Sequence, residues 1–553
     1  MEQQPGTSVV HRKGDYTPPR SWRTWLIGRP LQTADAPHQT IGKAIGLAVF
    51  ASDALSSTAY ATQEILIILA AAGSLAFGYA FPISIAIVLL LVIVTLSYLQ
   101  TIHAYPGGGG AYIVSRDNIG ELAAQIAGAA LLTDYILTVA VSISSGVAQI
   151  NSAFPETFAF RVPLSIALVF LITLLNLRGV RESGAIFAIP SYFFIISMVG
   201  TLIIGFYRYF TGTLGTVPNP PGLDIQHTIT AITPFLILHA FSSGTAALTG
   251  VEAISNGTTA FKEPRSRNAG ITLIWMAVIL GTLFMSITFL TGQVQGIPSE
   301  TETIISQLVR TIFQGRGASY LAVLAATTVI LIMAGNTSFA GFPRLSALLA
   351  DDKFLPRQFS FRGSRLVYSR GIVALAIFAS FLIAIFNASV TALIPLYAIG
   401  VFLSFTLSQA GMALRWWKIG TLPAGEEIRE RGSVLHFDKN WRIKMIFNSI
   451  GTICTAIVMM VFAITKFKDG AYIVLIVIPI IVVLLRTIHN HYNHLAQDLS
   501  LENYGAPPSI KRHRVILPIS GVHRGTLAAL RYARDLSDDI TAVHVSIEEE
   551  EAD

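Results

Sequence analysis

The chain has 553 residues, of which 52% are hydrophobic and only 13% charged, with a mean hydropathy of +0.60. That balance excludes a string of soluble domains and fits a polytopic membrane protein. The net charge of +6 reads as membrane topology rather than nucleic-acid binding, and the single cysteine, Cys454, excludes an intrachain disulfide and a thiolate metal cluster.

Residues 1–39 read as a cytoplasmic N-terminal tail. They are polar and basic, with Arg12, Lys13, Arg20, Arg23 and Arg29, and show no cleavable signal peptide. Trp22 and Trp25 suit an interfacial amphipathic helix there.

The first apolar run, about 41–72, contains Ala51-Ser-Asp-Ala-Leu-Ser-Ser-Thr-Ala-Tyr60. A carboxylate at the centre of a membrane helix costs roughly 2.5–3.5 kcal/mol even on the lenient insertion scale, so Asp53 needs a reason to be there. A helix broken near Asp53 exposes backbone carbonyls, and Ser56, Ser57, Thr58 and Tyr60 add hydroxyl oxygens. Such a shell suits a hard cation, so the stretch reads as half of a cation site at mid-membrane. The alternative is that Asp53 only caps the second half of a broken helix.

Eleven further apolar spans follow at about 80–102, 119–152, 162–178, 184–209, 231–258, 269–293, 318–349, 370–388, 391–417, 444–465 and 471–488, each near the ~20 residues needed to cross a bilayer. With both termini cytoplasmic, the inner loops carry nineteen Lys/Arg and the outer loops six, Lys466 and Lys468 among them. Between the second and third spans, Tyr105-Pro-Gly-Gly-Gly-Gly-Ala-Tyr112 suits a re-entrant or interfacial segment. It lacks the strand–helix context of a nucleotide loop. The outer loop 210–230 is rich in Gly and Pro; Pro298–Arg316 reads as an outer helix with a capping box from Ser299 and Glu302. Residues 419–443 read as a charged cytoplasmic linker.

Two other spans carry acids. The third has Asp134, Thr138 and Ser142 at i, i+4 and i+8, on one helix face. The sixth holds Phe241-Ser-Ser-Gly-Thr-Ala-Ala-Leu-Thr-Gly-Val-Glu-Ala-Ile254, where Gly244 and Gly250 weaken the helix near Thr249 and Glu252. Interrupted spans one and six, five helices apart, point to an inverted repeat with its site between the halves. Asp53, Asp134 and Glu252 share a mid-span depth with no Lys or Arg at the same depth, so a cation, protons or both must neutralise them. Pairing of Glu252 with a basic cytoplasmic residue is the competing reading. Glu64, one turn after Tyr60, suits a proton path or an outer vestibule, and His239 reads as a packed polar residue. Nothing resembles a nucleophile–base pair, so an enzyme is not expected.

After His494 the composition turns soluble. Arg514-Val-Ile-Leu-Pro-Ile-Ser-Gly and Ile540-Thr-Ala-Val-His-Val-Ser read as strands around a helix over Thr526–Leu536. Residues 491–553 are thus expected to be a linker and the start of an α/β domain, incomplete as it stands. Residues 40–490 form the transporter domain.

The broken spans, the glycine run and the 5+5 plan resemble the amino acid–polyamine–organocation superfamily. Ser52-Asp-Ala-Leu-Ser-Ser-Thr-Ala-Tyr-Ala-Thr-Gln-Glu64, Thr133-Asp-Tyr135 and Thr249-Gly-Val-Glu252 resemble, more narrowly, its KimA-type potassium importers. The resemblance spans all twelve segments. It implies an all-α polytopic membrane protein of twelve helices with a LeuT-like 5+5 inverted repeat, in a bacterial cell membrane. It implies proton-coupled potassium uptake with no cofactor, through Asp53, Tyr60, Asp134, Thr138, Ser142, Thr249, Glu252 and Tyr397. It further implies a homodimer through a universal-stress-protein-like domain, inhibition of some members by cyclic di-AMP, and no nucleic-acid partner. An amino-acid permease is the rival. Asp53 counts against it, because it would repel a substrate carboxylate at the first break. An amine or polyamine substrate escapes that objection, and a sensor or channel on the same fold is a further alternative.

Overall fold

The computed structural model describes residues 40–108, 110–178, 183–222, 231–363, 365, 367–423, 426–429, 434–500, 513–519 and 522–544. The N-terminal tail lies outside them, and so does Arg181. The first apolar run forms three pieces: α1 (Lys43–Phe50), α2 (Ser52–Ser56) and α3 (Thr58–Leu69). The interruptions have a chemical cause. Ser56, Ser57 and Thr58 donate in succession to the carbonyls of Asp53, Ala54 and Leu55 at 2.8, 2.6 and 2.7 Å. Hydroxyls that bond their own helix's carbonyls compete with its hydrogen-bond ladder and bend it. The hydroxyl run therefore makes the break as well as lying beside it.

There follow α4 (Ala80–Ala104), α5 (Gly110–Asn118), α6 (Glu121–Ala153), α7 (Arg161–Leu177) and α8 (Ser183–Phe210). The second interrupted span is α9 (Pro234–Gly244), a 3₁₀ turn (Thr245–Leu248) and α10 (Ala253–Asn256). The same device recurs here: Thr245 and Thr249 donate to the carbonyls of Ser242 and Ala246 at 2.6 and 2.9 Å. Then come α11 (Arg265–Gln293), α12 (Ile304–Ile312), α13 (Ala318–Asp351), α14 (Ser369–Ile385), α15 (Val390–Gly420), α16 (Trp441–Thr465) and α17 (Tyr472–Asp498). Among the described residues, ten helical segments are long and apolar enough to cross a membrane, and Thr58–Ala72 and Ser369–Ile385 are shorter apolar helices.

The long helix α6 is buried over most of its length between α13 and α15, while α3 lies on α9 and α4 on α11. The outward faces are apolar: Ile453, Ile457 and Met460 on α16, and Ile476, Ile480 and Val483 on α17, are exposed. Such a surface is stable against lipid and not against water. This is a multi-pass membrane protein.

Two local expectations differ from the structure. The outer helix is capped by Thr303, whose hydroxyl accepts from the Ser306 N–H at 3.3 Å, not by Ser299. Glu302 is instead drawn to Arg310 Nε at 2.7 Å, and an ion pair outcompetes a capping box. The charged linker contains an antiparallel hairpin, β1 (Glu427–Arg429) with β2 (Val434–His436).

The C-terminal unit, Asn490–Asp553, separates from the rest by its contacts. Within it, β3 (Arg514–Ile519) pairs in parallel with β4 (Asp539–His544) across α18 (Arg524–Leu536), a βαβ unit. The helix begins two residues earlier than expected because His523 Nδ1 caps it, accepting from the N–H groups of Gly525 and Thr526 at 3.2 and 3.3 Å.

Candidate functional site

The two interrupted spans meet. Ser57 shares its hydroxyl proton between the Ala54 carbonyl (2.6 Å) and the Ala247 carbonyl of the facing 3₁₀ turn (3.0 Å). Gly250 has φ +81°, and a Cβ there would lie 2.7 Å from Asp53 Oδ2 and 2.8 Å from the Ala54 nitrogen. The position demands glycine twice over, for its left-handed backbone and for the carboxylate pressed on it. Asp53 on α2 is thereby held against the break in the sixth span.

Around this junction the structure gathers residues from four segments. On α6, Asp134 lies beside Glu252, which precedes α10. Asp53 lies within electrostatic reach of both. The hydroxyls of Tyr60 on α3 and Thr249 are also in contact. One turn beyond Asp134, Thr138 donates to the Tyr397 hydroxyl of α15 at 3.0 Å. Ser142 follows one further turn along, buried. Gly400 brings α15 close to α6: a Cβ there would lie 3.0 Å from the Ala130 carbonyl. All eight residues singled out from the sequence are buried. Asp53, Asp134 and Glu252 each keep a buried carboxylate oxygen without a hydrogen-bond donor. Among the described residues none of the three forms an ion pair with Lys or Arg.

The sequence reading missed three neighbours. Tyr98 on α4, fully buried, lies within electrostatic reach of Glu252 and Asp134. Tyr135 accepts from Asn256 Nδ2 at 3.1 Å. Asn256 in turn explains the glycine run: Gly108 and Gly110 have φ +74° and +47°, and a Cβ on Gly110 would overlap Asn256 Oδ1. Tyr98 sits in a span without a carboxylate, and nothing in its local sequence sets it apart from the nearby Thr95, Ser97 and Thr101.

On one side of this cluster is a cavity of about 620 Å³, with Asp53, Glu252, Tyr135 and Asn256 among its walls and Arg344, Asp351 and Arg362 farther out. On the other side the bundle is closed. Thr62 and Thr288 hydroxyls meet at 2.8 Å, and Gln63 bridges the Ser299 carbonyl (3.2 Å) and the Ile304 N–H (3.1 Å). Glu64 is buried on this closed side, with Thr391 Oγ1 3.5 Å from its Oε1. Lys466, expected in an outer loop, is instead buried and within electrostatic reach of Glu64. His239 is not merely packed: its Nε2 lies 3.3 Å from Asp469 Oδ2. Among the described residues no group of His, Cys, Asp and Glu is arranged to hold a metal ion through three such side chains. The central side-chain oxygens come instead from carboxyls and hydroxyls, ligands that suit a weakly held alkali cation.

A family model described as amino acid permease matches residues 40–490, and one described as the KimA potassium transporter C-terminal domain matches residues 511–553. The chain is 43% identical over 531 residues to the potassium transporter KimA of Bacillus subtilis, covering 96% of this chain and 84% of that one. It is 24% identical over 269 residues to the low-affinity putrescine importer PlaP of Escherichia coli, covering 48% of this chain and 57% of that one. It is 25% identical over 253 residues to the cationic amino acid transporter 7 of Arabidopsis thaliana, covering 43% and 40%. The buried, interrupted-helix site and the full-length match agree: the chain belongs to the amino acid permease family of membrane transporters and is a relative of the potassium transporter KimA.

Proposed function

We propose that the chain imports potassium ions together with protons by alternating access. One observation carries this: Asp53, Asp134 and Glu252 converge in the protein interior, each with a buried carboxylate oxygen that lacks a hydrogen-bond donor and, among the described residues, none in an ion pair with Lys or Arg. Such a site is poised to exchange proton for cation. Carboxylate and hydroxyl oxygens of Asp53, Tyr60, Asp134, Thr249 and Tyr397 replace the water of the ion, with Thr138 and Ser142 supporting Asp134 and Tyr397. Glu252 carries the driving proton. The full-length similarity to a potassium transporter favours potassium over an organic amine, for which the similarity is weaker and partial.

In this account α1–α3 and Ser369–Ile385 complete twelve spans in a LeuT-like 5+5 inverted repeat. Both termini are cytoplasmic, and the protein resides in the cell membrane. On this reading the 620 Å³ cavity faces the cytoplasm, as an inward-facing transporter with its outer gate shut requires. The C-terminal unit acts as the universal-stress-protein-like part of a regulatory, dimer-forming domain, a candidate for cyclic di-AMP control. The test is rubidium uptake into proteoliposomes with and without an inward proton gradient, beside Asp134→Asn. Gradient-driven uptake lost in the variant is expected. Uptake of labelled putrescine without cation flux would replace this function with polyamine transport.

A further inference from the structure

The cavity beside the acid cluster carries a positive charge that the central site does not use. One wall of the cavity is a single face of α13, on which Thr337, Gly341, Arg344, Leu348 and Asp351 follow at three- to four-residue steps. Gly341 fixes where that face stands. A Cβ there would lie 2.7 Å from Tyr135 Cζ and 2.9 Å from the Tyr135 hydroxyl oxygen, and Tyr135 follows Asp134 in the chain. Arg344 is therefore one turn along α13 from the tyrosine that walls the cluster, in the direction of Asp351. Its neighbours Phe342, Pro343, Leu345 and Ser346 are buried, yet Arg344 is exposed, so its side chain is reached from the cavity it lines. Among the described residues it forms no hydrogen bond and no ion pair. Arg362 lines the same cavity, with its guanidinium 5.3 Å from the centre of the Tyr368 ring. Two like charges thus face a space whose walls also hold Asp53 and Glu252.

A neutral side chain would fill this wall without facing a second arginine, so the charge calls for a use. A cation leaving the cluster through the cavity meets the Arg344 guanidinium before Asp351. We propose that Arg344 is an ion-release residue: its charge weakens the hold of the open site on the cation and opposes re-entry from the cavity. An importer needs this asymmetry, because the ion it accumulates otherwise refills the acids and stalls the cycle. A guanidinium keeps its charge at every physiological pH, so the effect is permanent. A compact cavity of about 620 Å³ is about 10 Å across, and at that separation one charge is worth about two- to tenfold in cation affinity, for a dielectric between that of water and that of a protein edge. This rests on the reading of the chain as a cation importer with the cavity on its cytoplasmic side.

The experiment reads how potassium inside proteoliposomes inhibits rubidium uptake. The measured quantity is the lumenal potassium concentration that halves the initial rate. Arg344→Gln is expected to lower it by about two- to tenfold, and Arg344→Lys to stay within about twofold of wild type. To separate charge from shape, Arg344→Cys in a Cys454→Ala background is modified with cationic, neutral or anionic methanethiosulfonate reagents, and the thermal stability of each protein is measured alongside. The half-inhibiting concentration is expected to be highest with the cationic group and lowest with the anionic one. Values that ignore the charge, or run in the opposite order, would overturn the inference. So would equal loss of uptake and of thermal stability in Arg344→Gln and Arg344→Lys, which would make the residue structural. Absence of rubidium uptake by wild type would instead overturn the function on which it rests.

Discussion

Gly250→Ala is the most exposed consequence of the proposed site. The substitution adds one methyl group, yet two separate penalties fall on it. The backbone at φ +81° is left-handed, and a non-glycine residue there costs about 1–2 kcal/mol. The new Cβ would also stand 2.7 Å from Asp53 Oδ2 and 2.8 Å from the Ala54 nitrogen, inside van der Waals contact. The Ala54 nitrogen is backbone and cannot swing away, and the Asp53 carboxylate yields only by leaving its place at the break. Overpacking of this kind costs about 1–3 kcal/mol. The sum is about 2–5 kcal/mol, set against the position of one carboxylate. At 1.4 kcal/mol per tenfold, even the lower figure weakens cation affinity by about 30-fold if the strain is relieved by moving Asp53. The assay is the rubidium dependence of uptake in proteoliposomes, with thermal unfolding in detergent to separate strain held in the fold from strain released at the site. A Gly250→Ala protein with wild-type half-saturation and wild-type stability would refute the reasoning, because the penalty would have gone nowhere.

Four further outcomes are expected. Tyr397→Phe removes the acceptor of the Thr138 hydroxyl and should weaken rubidium half-saturation by about two- to tenfold, the value of one hydrogen bond, with the maximal rate less affected. Glu252→Gln should keep cation binding, measured as rubidium protection against thermal unfolding, while uptake loses its response to the proton gradient. Arg310→Ala breaks a largely buried pair with Glu302 and the guanidinium's bonds to the Pro218 and Asn219 carbonyls, and should destabilise the protein by about 3–5 kcal/mol in denaturation measurements. Gly110→Ala should displace Asn256 and lower transport, and Asn256→Gly in the same chain should restore part of it by clearing the overlap.

Much of this site was legible because membranes penalise polar atoms so heavily. Asp53, Asp134 and Glu252 stood out from the sequence as charges within apolar runs, and Gly244 and Gly250 marked the interruption of the sixth span. Those expectations depended on local chemistry. The sequence also signalled the C-terminal βαβ unit through its alternation of strand-like and helical patterns. What it did not reveal depends on contacts distant in the chain. Tyr98 meets Glu252 only through the packing of α4, and Asn256 needs the glycines 146 and 148 residues before it. Lys466 read as a loop charge because it lies between two apolar spans, whereas its side chain is buried in the link between α16 and α17. The Ser299–Glu302 capping box failed for a related reason: Arg310, eight residues on from Glu302, claims the carboxylate.

The central claim is that cation and proton move together through the Asp53–Asp134–Glu252 cluster. It is tested most directly by loading proteoliposomes with a pH-sensitive dye and imposing an inward potassium gradient at equal pH, with a permeant anion to balance charge. Acidification of the lumen that requires potassium and disappears in Glu252→Gln is the expected result. Potassium entering with no change in lumenal pH would contradict it.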